Sequence, residues 1–101
     1  MKNTACVFYY TDDRYDELAK CAINSFKKFN SDDVDVFCID YTNKEEFDKN
    51  LNYYEVGNVV GLMQYIYAYE IMRKHNYKKV IVLGCDTITC GKLDEFLENS
   101  E

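Results

Sequence analysis

The first apolar stretch of the chain, Ala5-Cys6-Val7-Phe8-Tyr9-Tyr10, runs without a polar interruption. That is the length of a strand, and the lack of alternation predicts burial on both faces, as in a parallel sheet. Thr11-Asp12-Asp13 follows and offers helix N-cap side chains. Tyr15, Leu18, Ala19, Ala22, Ile23, Phe26 and Phe29 then recur at helical spacing and predict an amphipathic helix over Arg14 to Phe29. Asn30-Ser31-Asp32-Asp33 ends it, and Val34 to Asp40 reads as a second strand. The stretch from Tyr41 to Gly57 is less regular, with a short helical turn near Asn43 to Phe47 and a short edge strand at Leu51 to Val56. A long helix is expected over Asn58 to His75, apolar around most of its circumference. Such a helix is usually buried on more than one side, which points to a second copy or a partner chain packed on Asn58 to His75. Lys78-Lys79 leads into a third strand, Val80-Ile81-Val82-Leu83, which Gly84-Cys85-Asp86-Thr87 ends. Leu93 to Leu97 reads as the start of a last helical segment.

This order of elements is an α/β pattern with a mostly parallel sheet and right-handed crossovers. If the first strand lies between the second and the third, the strand order reverses beside it. In open α/β sheets, ligands bind outside the carboxyl ends of strands at that reversal. Tyr10, Thr11, Asp12 and Asp13 fall there from the first strand, and Gly84, Cys85, Asp86 and Thr87 from the third. Carboxylates gathered at one crevice suit a hard divalent cation, which in turn holds phosphate. Capping alone accounts equally well for Asp12 or Asp13. Asp86 closes an apolar strand, where a carboxylate needs a partner. Asp40, at the end of the second strand, reads as a turn residue.

Composition narrows the choice of function. The chain has 101 residues, 48% of them hydrophobic, so it forms a single domain or half-domain with a packed core. Its net charge of −6 argues against binding a nucleic-acid backbone, which needs clustered Lys and Arg. No apolar run reaches membrane-spanning length, and the opening residues do not read as a signal peptide. The five cysteines (Cys6, Cys21, Cys38, Cys85 and Cys90) include no Cys-x-x-Cys pair. They read as small thiols in a reduced compartment, so a cytoplasmic location is expected. Cys21 is placed on the apolar side of its helix. Cys85 and Cys90 flank Asp86, but the lone histidine, His75, reads as a solvated residue in a helix's last turn.

Two segments also carry a family resemblance. Phe8-Tyr9-Tyr10-Thr11-Asp12-Asp13-Arg14-Tyr15 resembles the opening of family 8 glycosyltransferases, the group of glycogenin and the bacterial lipopolysaccharide galactosyl- and glucosyltransferases. There the first strand ends in a small residue or Thr, then Asp-Asp or Asn-Asp, one residue, and Tyr. Lys79 to Thr89, followed by Gly91-Lys92-Leu93-Asp94-Glu95-Phe96, is similar to the strand and metal motif of that family. The resemblance implies an open, mostly parallel, Rossmann-like α/β sheet with flanking helices, of the GT-A nucleotide-diphospho-sugar transferase type. The chain, residues 1–101, would be its N-terminal, nucleotide-sugar-binding half, truncated relative to the whole fold. By the same resemblance, Tyr10, Thr11, Asp12, Asp13, Arg14 and Tyr15 contact the donor, a UDP-sugar being favoured. Asp86 would hold Mn²⁺ or Mg²⁺ against its diphosphate, the metal acting as a Lewis acid on the leaving nucleoside diphosphate. The family's first metal-motif aspartate is Gly84 here, and the arginine it often carries early in the preceding helix has no match around Val59 to Met63. The implied activity is sugar transfer to an acceptor; the alternative is a noncatalytic domain that keeps the fold without the metal site. A phosphoacceptor receiver domain also gathers acidic residues at strand ends, but it needs two further strands after Asp86.

Overall fold

The computed structural model describes residues 2–48 and 60–93. They form a three-stranded parallel sheet in the order β2-β1-β3 with helices on both faces. The strands are β1 (Thr4–Tyr9), β2 (Val34–Ile39) and β3 (Lys79–Leu83). The helices are α1 (Asp16–Asn30), α2 (Lys44–Asp48) and α3 (Val60–His75). Strand β1 is central, with Thr4 opposite Val34 on one side and Lys79 on the other. The uninterrupted apolar run therefore sits where both faces are covered, and Thr4 to Phe8 are buried throughout. Every residue of β3 is only half-buried, as its place at the sheet edge dictates.

Period-two alternation divides β1 between two cores. Cys6 and Phe8 pack with Ala19, Ala22, Phe26 and Val34 beneath α1, where the Phe8 and Phe26 rings meet edge to face at 6.0 Å. Ala5 and Val7 pack with Ile39, Tyr67 and Ile71 beneath α3. Asp12 accepts a hydrogen bond from the Arg14 backbone N–H and so caps a short 3-10 turn, Asp13–Tyr15, ahead of α1. Asp16 and Glu17 in the first turn of α1, and Lys27 and Lys28 in its last, complement the helix dipole.

Two expectations for α1 are corrected. Cys21 is exposed, because the buried line runs through Ala19, Ala22, Phe26 and Asn30, and Cys21 lies two positions from Ala19, on the far side. Tyr15 and Leu18 are exposed as well, at the end of the helix that overhangs the carboxyl edge of the sheet. His75 is half-buried rather than fully solvated, with its ring stacked on Phe37 at 5.9 Å.

Helix α3 buries Met63, Tyr67, Ala68 and Ile71 at helical spacing and exposes Tyr65 and Tyr69. Its apolar-all-round pattern thus resolves into a core face and an outer face that includes tyrosines, whose hydroxyl ends suit water. Asn76, with φ of 59°, takes the left-handed position that ends the helix, and the Tyr77 N–H bonds back to the Met72 carbonyl at 3.1 Å. Helix α2 appears where the short helical turn is expected, and its Asp48 accepts from Lys44 Nζ and from the Tyr67 hydroxyl. The expected strand Leu51 to Val56, the start of the long helix at Asn58 and Val59, and the segment from Asp94 to Leu97 lie outside the described residues. Among the described residues no helix is long and apolar enough to cross a membrane.

Candidate functional site at the carboxyl edge of the sheet

All three strands are parallel, so their carboxyl ends share one edge. The loop after β1 is tied to its neighbour β2 by the Tyr10 N–H, which donates to the Ile39 carbonyl at 3.1 Å. It is tied to the loop after β3 by Cys85, whose buried thiol faces the Tyr9 carbonyl at 3.5 Å. The two segments singled out in the sequence, Tyr10–Tyr15 and Gly84–Asp86, are thus brought together by β1 itself.

The loop after β3 has its own supports. Gly84 accepts from the Thr87 N–H at 3.3 Å and from the Thr87 hydroxyl at 2.7 Å, which closes a tight turn. The chain then runs back along α1. Ser25 Oγ accepts from the Thr89 N–H at 2.9 Å. The buried Asn30 side chain accepts from the Leu93 N–H at 2.9 Å and donates to the Gly91 carbonyl at 3.2 Å. Neither Ser25 nor Asn30 stands out in the sequence, because their partners lie 64, 61 and 63 residues away.

The carboxylates of the edge differ in what they hold. Asp12 takes the Arg14 backbone N–H and two guanidinium nitrogens, Nε at 3.0 Å and Nη2 at 2.9 Å. Those bonds from Arg14 hold the Asp12 carboxyl below the usual carboxylate range. Asp16, in the first turn of α1, accepts from two tyrosines, Tyr10 at 2.9 Å on one oxygen and Tyr41 at 2.8 Å on the other. The rings of Tyr10 and Tyr41 meet edge to face at 6.1 Å. Burial, reinforced by Asp16 and Asp40, raises the Tyr10 hydroxyl far above its ordinary value. The bond to Asp16 pushes Tyr41 up to about 12. Asp40 accepts from the Thr42 N–H at 2.8 Å and from the Thr42 hydroxyl, which makes it the turn residue the sequence suggests. Burial draws its carboxyl upward, but hydrogen bonds from Thr42, Tyr10 and Asn43 outweigh that and leave it below the ordinary value.

Thr11, Asp13, Arg14, Tyr15 and Asp86 are exposed. The Arg14 guanidinium also lies 5.8 Å from the centre of the Tyr15 ring. The expectation that Asp86 needs a partner meets a simpler answer, since its carboxylate faces water. Sequence reasoning passed over Asp16 and Tyr41, although the position of Tyr41 after β2 follows from the same carboxyl-edge argument that selected Tyr10.

The chain matches no family model, no curated protein and no solved structure.

The donor set decides how well a divalent cation fits. Among the described residues no group of three His, Cys, Asp or Glu side chains converges as a metal site needs. At Gly84 a Cβ atom would stand 2.8 Å from Asp86 Oδ1, so the Asp86 carboxylate lies over the place where a second acidic side chain would begin. The described residues therefore gather no donor set for a resident metal ion. The edge offers instead one exposed cation, exposed tyrosine rings and the backbone amides of two adjoining loops.

A separate cavity of about 260 Å³ lies between α2, α3 and β2, lined by Phe37, Phe47, Tyr67, Ile71 and charged residues at its rim. None of the carboxyl-edge candidates lines it.

Proposed function

We propose that the carboxyl edge of this sheet binds a nucleoside-diphosphate sugar, as the donor-binding part of a glycosyltransferase-like domain. One observation carries the reading. Strand β1 is central, helices α1 and α3 cover opposite faces, and the loops after β1 and β3 adjoin through Cys85 and the Tyr9 carbonyl. Parallel sheets of this kind receive their ligands at that position. The family resemblance of Tyr10–Tyr15 and of Lys79–Phe96 adds the ligand class. In this reading the nucleoside lies along Thr11 to Tyr15 with an aromatic ring at hand in Tyr15. The diphosphate lies between the Arg14 guanidinium and the loop of Gly84 to Asp86, and the sugar extends along that loop. Tyr10 braces the site through Asp16 rather than touching ligand.

A second reading keeps the binding and drops the transfer. The replacement of the family's first motif aspartate by Gly84 favours it, because Asp86 then has no acidic neighbour in its own turn to assist departure of the nucleoside diphosphate. Thermal unfolding in the presence of UDP-, GDP- and CMP-linked sugars tests the binding common to both readings. Saturation at about 100 times Kd adds about 2.7 kcal/mol. At this chain length that raises Tm by about 10 °C or more. A UDP- or GDP-linked sugar is expected to give that rise; no rise with either, or a rise with the monophosphate CMP-linked sugar alone, contradicts the proposal. Release of free nucleotide from the bound donor then separates a transferase from a binding domain.

A further inference from the structure

The family whose motifs the chain resembles balances the donor's diphosphate with a metal ion. We infer that nucleotide capture at this edge is metal-independent, with the Arg14 guanidinium taking the place of the bridging cation. The inference rests on the proposal that the edge binds a nucleoside diphosphate, and it concerns how that charge is met.

Two features of the acidic groups argue against a cation. First, the turn after β3 is built around Gly84, and the Asp86 carboxylate approaches the glycine so closely that a Cβ there would meet it at 2.8 Å. Gly84 supplies no carboxylate of its own, so Asp86 stands without the companion that a paired metal motif has. Second, apart from the exposed Asp13, the nearby carboxylates after β1 and β2 are already committed to proton donors of the chain. Asp12 is held by Arg14, Asp16 by Tyr10 and Tyr41, and Asp40 by Thr42. A cation recruiting any of them would have to break those bonds and leave their donors without partners, which costs free energy in each case.

Arg14 has the opposite character. Its side chain is 79% exposed while its fork is fixed, because Asp12 binds Nε and Nη2 together. A guanidinium carries about five N–H donors in one plane. With two of its nitrogens turned to Asp12, Nη1 and the outward edge remain for phosphate oxygens, a geometry that a planar fork serves well. Asp12 thereby acts as a positioning residue: it aims the guanidinium and spares part of the side-chain entropy that binding otherwise removes.

Calorimetric titration of the chain with UDP, GDP and CMP, each in excess Mn²⁺ and again in excess EDTA, tests this. The nucleotide that binds is expected to bind in EDTA at least as tightly as in Mn²⁺, because no side chain of the site ligates the metal and the metal-free phosphates meet Arg14 with their full charge. Arg14→Ala is expected to weaken binding about tenfold or more in both, the worth of a lost charge-assisted hydrogen bond. The paramagnetic resonance signal of free Mn²⁺ should be unchanged when the chain alone is added. Binding seen only with Mn²⁺, or an Arg14→Ala chain that binds like the parent, overturns the inference while leaving the nucleotide site standing. No binding of any nucleotide in either medium overturns the nucleotide site itself, and the inference with it.

Discussion

Asn30 closes α1 with its side chain buried, and it holds Gly91 and Leu93 of the segment that follows β3. Its replacement by alanine removes both bonds and leaves the part-buried Leu93 N–H and Gly91 carbonyl without these partners. Asn30→Ala is therefore expected to lower the unfolding free energy by about 2–3 kcal/mol. Urea denaturation measures this, and a loss below about 0.5 kcal/mol, the size of an ordinary surface change, contradicts the assigned role. In the sequence Asn30 is one polar residue in a helix-ending cluster, and nothing local distinguishes it from Ser31 or Asp32. The same holds for Gly84. Its absent side chain is visible in the sequence, but the Asp86 carboxylate filling that space is a matter of turn geometry. Asp12 is the contrary case, since the capping role open to it in the sequence is the one it takes.

At the level of elements, each strand face and helix stripe sets the chemistry of its cysteines. Cys6 and Cys38 lie on the α1 face of β1 and β2, and Cys85 is buried in the turn after β3. Burial pushes Cys6 up to about 12 and Cys38 to about 11, against an ordinary value of 9.0. Cys21 and Cys90 are exposed. At about pH 8 a thiol reagent is expected to label Cys21 and Cys90 in the folded chain, and all five cysteines once it is unfolded, because the thiolate is the reactive form. The sign of the linked pH effect follows. The folded chain keeps the Cys6 and Cys38 protons where an unfolded chain, titrating at 9.0, loses them. Stability is therefore full below that value and falls as pH rises from it toward the folded values. Rapid labelling of Cys6 in the folded chain would contradict the packing. The elements themselves were largely legible, since β1, α1, β2 and β3 fall within a residue or two of the periodicity. Cys21 was not, because a run of apolar residues near a helix's buried stripe does not fix the exact arc that meets the sheet.

Taken as a whole molecule, the chain is a small parallel sheet whose central strand delivers two loops to one edge. That much follows from element order and the handedness of crossovers, which is why the edge was legible before the structure. What was not legible is how the edge spends its acidic groups. The carboxylates gathered at the strand ends suggested a cation site, yet Asp12, Asp16 and Asp40 each hold partners from the chain. The exposed tyrosines of α3, Tyr65 and Tyr69, leave the proposed association through Asn58 to His75 as a separate matter from the site. The central claim concerns location: nucleotide binds at the carboxyl edge beside β1. Backbone amide resonances followed during titration with UDP, and with GDP or CMP in parallel, test it most directly. The account predicts that the nucleotide which binds moves the amides of Thr11 to Tyr15 and of Cys85 to Thr87, and leaves those of Phe37, Phe47 and Ile71 in place. Shifts gathered around the cavity between α2, α3 and β2, or no shifts with any nucleotide, would contradict it.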